Sequence, residues 1–160
     1  MLPNAAMYSE IFNYINTKFD LDMLNFEVGI LRESIFKQGE GSFENVLITK
    51  VRPVVSAAVQ KELKDQNIKV DEYLNGLKKE IKKFELVTIT LAYEPTNATF
   101  NNLGSWVRKN TFGLTVIDIN YDPSIVAGAI IVYKGKYVDY SIRTQIKSLF
   151  ESKKYERILI

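Results

Sequence analysis

Residues 121–141, YDPSIVAGAIIVYKGKYVDYS, place an Asp-Pro-Ser turn, a small Ala-Gly step, an unbroken apolar run and a Lys-Gly-Lys turn ahead of a helix start. A glycine-bearing turn with lysines beside a helix either cradles a phosphate or folds a hairpin back on itself. A Walker loop needs two glycines around four residues, then Lys and Ser/Thr at once, because successive N–H groups must converge on phosphate and the hydroxyl on magnesium. Here Gly128 and Gly135 flank an apolar strand, and no Gly-Lys-Ser/Thr follows. The dinucleotide fingerprint fails too, since the glycines open no helix after a first strand. The hairpin reading prevails: Gly128 permits close backbone approach at a strand start, and Gly135 supplies the dihedral angles of a tight turn.

Outward from this stretch, GAIIVYK (128–134) is continuous enough to predict a strand covered on both faces. The turn at Gly135-Lys136 leads into a short strand, YVD, and Ile142, Ile146 and Leu149 define a final amphipathic helix. Upstream, LTVIDINY (114–121) is a strand. Before it, Pro95 and Thr96 open a helix with Phe100, Leu103 and Val107 inward and Trp106 beside them, closed by Asn110 and Gly113. In ELVTITLAY, Val87, Ile89 and Leu91 alternate with Thr88 and Thr90, the mark of a strand with one buried face. The carboxyl half therefore reads β-α-β-β-β-α. Residues 152–160 form a Lys/Glu-bearing tail ending in ILI, expected as an exposed or docked end.

The amino half has the other period. Tyr8, Ile11, Phe12, Ile15 and Phe19 share one face of a helix ending near Phe19. Leu24, Val28, Leu31 and Ile35 repeat the pattern after start signals at Asp20 and Asp22, and QGEGS (38–42) breaks the chain. A third stripe from Leu47 through Val51, Val54, Val55, Ala58 and Val59 to Leu63 contains Pro53, which kinks it or splits it in two. Leu74, Leu77, Ile81 and Phe84 make a fourth, with Asp71 as its expected cap. The fold class is thus α+β: a helical bundle domain over 1–84, then a small α/β domain over 85–160.

Composition narrows the chemistry. The 160 residues contain no Cys and no His, which removes disulfides, thiolate or imidazole metal sites and any Ser-His or Cys-His catalytic unit. A net charge of +2 is too small to imply nucleic acid as a partner. No apolar run approaches the roughly 20 residues that span a bilayer, and the amino terminus lacks signal-peptide character, so a soluble intracellular chain is expected.

Three further groups of residues have a structural reading beside a functional one. LKKEIKK (77–83) fans Lys78, Lys79, Lys82 and Lys83 over the outside of a helix, a solvated face by default, with contact to an anionic lipid or acidic partner as the alternative. Asp122 and Asp139 precede Pro123-Ser124 and Tyr140-Ser141, where turn and helix capping outweigh catalysis; Asp118, in a strand, has no assigned role. Phe100, Trp106 and the tyrosines at 121, 133, 137 and 140 lack the arginines of a nucleic-acid stacking platform and fit a core or protein interface better.

In order and spacing, Asp122, Pro123, Ser124, Ile125, Ala127, Gly128, Ile130, Gly135, Val138, Asp139, Ser141, Ile142, Arg143, Ile146 and Leu149 resemble the carboxyl-terminal region of the delta subunit of F-type ATP synthases. The mitochondrial form of that family is the oligomycin-sensitivity-conferring protein. The resemblance covers about residues 86–151; Tyr121 and Tyr140 depart from it, and the family's six-helix amino-terminal bundle contrasts with four helical segments here. It implies a non-catalytic peripheral-stalk subunit without catalytic residue, cofactor or metal, resisting rotor torque at the inner, cytoplasmic face of the cell membrane and meeting the membrane only through the complex. The implied partners are the alpha and beta subunits of the catalytic hexamer and the b-type stalk helices. The head contact is then expected around Tyr8, Ile11, Phe12 and Ile15, and the stalk contact around Ile142, Arg143, Ile146, Leu149 and Phe150. A nucleic-acid- or anionic-lipid-binding module using Lys78–Lys83 and the exposed aromatics, or a stator subunit of another rotary ATPase, is the alternative.

Overall fold

The computed structural model describes residues 7–111 and 113–151, the side chain of Gln66 excepted. The tail at 152–160 lies outside the described residues. The chain divides into two compact units, Met1–Phe84 and Glu85–Ile160.

The first unit is helical: α1 (Ser9–Phe12), α2 (Lys18–Ser34), a 3₁₀ turn (Gly39–Gly41), α3 (Phe43–Thr49), α4 (Pro53–Gln66) and α5 (Val70–Ile81). The helix expected to reach Phe19 stops at Phe12, because a stronger start signal follows. The Thr17 hydroxyl accepts the Asp20 N–H at 3.1 Å, and the Asp20 carboxylate accepts the Thr17 N–H at 3.0 Å. This capping box begins α2 at Lys18, so Thr17 is the cap, Asp20 its partner, and Asp22 lies within the helix. Phe19 consequently sits in the first turn of α2, 72% exposed.

Pro53 splits the third stripe, standing at the first position of α4, where a missing N–H costs nothing. The N–H just before it is satisfied from α2: Arg52 N donates to Glu27 Oε1 at 2.8 Å, and its guanidinium grips both oxygens of the same buried carboxylate at 2.9 Å. Asp71 does not cap α5. The cap position is Lys69, and Asp71 lies in the first turn, accepting from Asn75 Nδ2 at 2.9 Å.

Tyr8, Ile11, Phe12 and Ile15 are interior, together with Leu24, Val28, Leu31, Val55, Val59, Leu74 and Leu77. The Tyr8 hydroxyl donates to the Tyr73 carbonyl at 3.1 Å, and the Tyr73 hydroxyl donates to Glu62. Burial, then the nearby Glu80 and Glu62 charges, push the Tyr8 phenol up to about 12. Burial likewise raises the Glu62 carboxyl, outweighing the Tyr73 hydrogen bond that lowers it.

The second unit has the predicted element order: β1 (Glu85–Leu91), α6 (Asn97–Asn110), β2 (Thr115–Tyr121), a 3₁₀ turn (Pro123–Ile125), β3 (Ala129–Tyr133), β4 (Lys136–Asp139) and α7 (Ile142–Glu151). The sheet order is β2-β1-β3-β4. β1 and β2 run parallel with Ile89 opposite Ile119, and β1 and β3 antiparallel with Ile89 opposite Ile131. The parallel pair requires a crossover, and α6 provides it, starting at a Thr96–Thr99 capping box. Val87, Ile89, Leu91 and Ile117 pack with Val107 of α6, flanked by Phe100, Leu103, Ile119 and Ile131. Trp106 points away from this cluster and is exposed. β3 is not covered on both faces as expected: Ile131 joins the α6-covered cluster, while its sequence neighbour Val132 is exposed.

Candidate functional site

The quoted stretch folds into a corner that launches α7. Asp122 Oδ1 accepts the Ser124 N–H at 2.9 Å, fixing the Pro123–Ile125 turn. The chain then reverses at Val126 (φ 67°, ψ −57°), where the Ala127 N–H reaches back to the Ile125 carbonyl at 2.8 Å. This is a γ-turn with a β-branched residue in the left-handed region, a strained backbone held by its surroundings.

Gly128 follows at φ 94°. A Cβ there would lie 2.3 Å from the Tyr140 carbonyl oxygen and 3.0 Å from Ser141 Cα, so the room beside this glycine belongs to the protein's own backbone rather than to an anion. Two hydrogen bonds fix the approach, Tyr140 N to Ala129 O and Ile142 N to Ala127 O, both at 2.9 Å. β3 and β4 are joined through Lys134 (φ 50°) and Gly135 (φ 73°), the double positive φ of a type I′ turn that matches the strands' twist.

Asp139 ends β4 but does not cap the next helix as expected: α7 begins at Ile142, the cap position is Ser141, whose hydroxyl accepts the Thr144 N–H at 3.5 Å, and Asp139 instead holds the turn before it. Asp139 Oδ1 accepts the Ser141 N–H at 2.7 Å, and its Oδ2 accepts the Thr144 hydroxyl. The Ser141 and Thr144 hydroxyls, then the Ser141 N–H, hold its carboxyl below the usual range; the Ser124 hydroxyl and N–H do the same for Asp122. The Arg143 charge adds to both effects. Ser141 is buried.

On α7 itself, Ile142, Ile146, Leu149 and Phe150 recur at steps that put them on one face. All four are exposed, from 40% at Ile142 to 61% at Phe150. Arg143, Lys147 and Glu151 make a second stripe, with Lys147 Nζ 3.8 Å from Glu151 Oε1. An exposed apolar helix face bordered by charge is suited to another helix or a groove.

In the first unit, the residues expected at the head contact are 0 to 7% exposed, their side chains spent on the interior. Among the apolar groups that this unit exposes are Phe19 and Phe26 on α2, Phe36 beyond it, Ile48 on α3 and Val54 on α4; Phe19 and Val54 were expected on buried stripes, and the others were not singled out. A signal for Phe19 and Phe26 existed. At 100° per residue Phe26 falls about 20° from Phe19, on the side opposite Leu24, Val28 and Leu31. The stretch 77–83 also divides: Lys83 Nζ pairs with buried Glu80 Oε1 at 2.6 Å, whereas Lys79 and Lys82 are exposed.

A helical unit followed by a small α/β unit that presents an amphipathic helix defines a protein-binding module. Comparison with known families identifies which: the model described as ATP synthase delta (OSCP) subunit matches residues 50–152, and the chain belongs to that family. Its members are non-catalytic peripheral-stalk subunits. The matched span reaches back through α5 and α4, beyond the resemblance visible from residue 86 onward. A chain of the cryo-EM structure of the Toxoplasma gondii mitochondrial ATP synthase hexamer is similar at 13% identity, over 93% of each chain, with a TM-score of 0.38. No curated protein matches. Among the described residues no helix is long and apolar enough to cross a membrane, and no cluster of acidic side chains is arranged to hold a metal ion.

Proposed function

We propose that this chain links the catalytic head of a rotary ATP synthase to its peripheral-stalk helices and so resists rotation of the head with the central rotor. The stalk contact is assigned to α7, through Ile142, Ile146, Leu149 and Phe150, with Arg143 and Lys147 meeting acidic groups at its border. The observation that carries this is the row of four exposed apolar side chains on a helix whose start is fixed by the Asp139–Ser141 turn and the Gly128 approach. The head contact is assigned to the first unit. Because Tyr8, Ile11, Phe12 and Ile15 are interior, it falls on the outward groups of the same region, Phe19 and Phe26 first among them. The alpha and beta subunits and the b-type helices are the partners this reading requires, at the inner face of the cell membrane.

The test is affinity isolation of the ATP synthase from cells carrying tagged wild-type chain or an Ile142→Asp, Ile146→Asp variant. Head and stalk subunits should accompany the wild type, and the variant should keep the head while losing the stalk. Isolation of neither from wild-type cells would refute the assignment.

A further inference from the structure

The first unit also contains a charged cleft that the stalk reading does not use. It measures about 320 Å³ and is lined by Arg32, Asn75, Lys78, Lys79 and Lys82. Arg32 stands in the last turn of α2, and the other four follow one face of α5 and its C-cap at steps of three, one and three residues.

The lining carries one sign of charge. Glu80, between these lysines in sequence, is buried and held by Lys83, and Asp71 is engaged by the Asn75 amide. Among the described residues, no carboxylate is paired with Arg32, Lys78, Lys79 or Lys82. Lysines near a helix C-terminus are favoured by the helix dipole, which accounts for part of the stripe. It does not account for Arg32, which lines the same cleft from α2. Four cationic side chains gathered from two helices repel one another, and an anion between them offsets that repulsion while accepting their N–H groups.

We propose that this cleft is a binding site for a phosphate-bearing anion carrying two or more negative charges, with Arg32 and Lys79 as its principal ligands. The donor set decides the class. Guanidinium and ammonium groups offer only donors, matching the several acceptor oxygens of a phosphate. The spread of the lysines over two helical turns, and a volume at the small end of ligand pockets, suit a diphosphate better than one monovalent ion. Two sources share this chemistry, a free di- or triphosphate and a phosphorylated lipid headgroup.

The experiment is a titration of the full ¹⁵N-labelled chain with pyrophosphate at constant ionic strength, followed by NMR. Saturable shifts should appear at the Arg32 Nε–H and the amides of residues 75–82. Arg32→Gln should weaken binding about tenfold or more, the loss expected for a charge-assisted hydrogen bond. Lys79→Gln, at an exposed position, should also weaken it with the fold intact, so the proposal survives a failure of the arginine variant to fold. Lys61→Gln, whose ammonium pairs with Glu10 elsewhere, should bind as wild type. Sedimentation with phosphatidylcholine vesicles containing a phosphoinositide separates the sources: vesicle binding competed by pyrophosphate identifies a headgroup, and pyrophosphate binding alone identifies the free anion. Shifts that follow ionic strength only, or undiminished affinity in a folded Lys79→Gln protein, would overturn the site. Neither result bears on the α7 contact.

Discussion

The two units set their carboxylates in opposite environments. The first buries Glu27, Glu62 and Glu80, each against a specific partner: Arg52, Tyr73 and Lys83. The second keeps its acids at the surface, where Asp122 and Asp139 cap turns and Glu85 ties Lys134 and the Tyr133 hydroxyl to the sheet. The difference teaches where each unit's specificity lies. In the first, polar groups determine how helices pack inside; in the second, they shape a corner and leave apolar side chains outside.

The largest effect that would sharpen this contrast is expected from Arg52→Ala. It leaves Glu27 buried without its cationic partner, holding only the main-chain N–H of residue 52, so the first unit should lose about 3 kcal/mol or more. Far-UV circular dichroism during urea unfolding would show it. Trp106, the only tryptophan, lies in α6 and reports the second unit by fluorescence, which should move far less. Next comes Gly128→Ala. The added methyl meets the Tyr140 carbonyl in a backbone conformation that disfavours side chains, at a cost of about 2 kcal/mol, read in the tryptophan transition.

Acid and base should then separate the units by sign. The Glu62 carboxyl is raised when folded, so its contribution is fully present below the ordinary value of 4.5 and is lost as pH rises through the folded value. Glu62→Gln should flatten that decline in the first unit. Asp139 is lowered when folded, so its contribution is present above 3.8 and lost as pH falls further, and Asp139→Asn should flatten the acid limb of the second. Equal pH slopes in both units would break the comparison. The smallest effect on stability belongs to Ile146→Asp, within about 0.5 kcal/mol by urea unfolding, because the position is exposed. A loss of several kcal/mol there would mean that the α7 face is interior.

Much of this architecture is legible in the chain because local chemistry and burial agree. Val87, Ile89 and Leu91 alternate and are all interior; Pro53 splits its stripe; Gly135 sits in the tight turn. Errors arose where a local signal competed with the apolar period. Phe19 continues the spacing of Tyr8, Ile11, Phe12 and Ile15, yet the Thr17–Asp20 box resets the helix and turns Phe19 outward. Asp71 resembles a cap but lies two residues late. The corner was visible through its glycines and aspartates, whereas the Arg32 cleft was not, because its members come from α2 and α5 and meet only after the chain folds.

The way α7 is launched has a consequence for divergence. Its position is set by main-chain atoms at Ala127, Ala129, Tyr140 and Ile142, by a glycine and by one aspartate, none of which faces outward along the helix. Substitutions on that outer surface can therefore accumulate in step with a changing neighbour while the helix keeps its direction. Lineages that share little identity can then retain the same geometry at this joint.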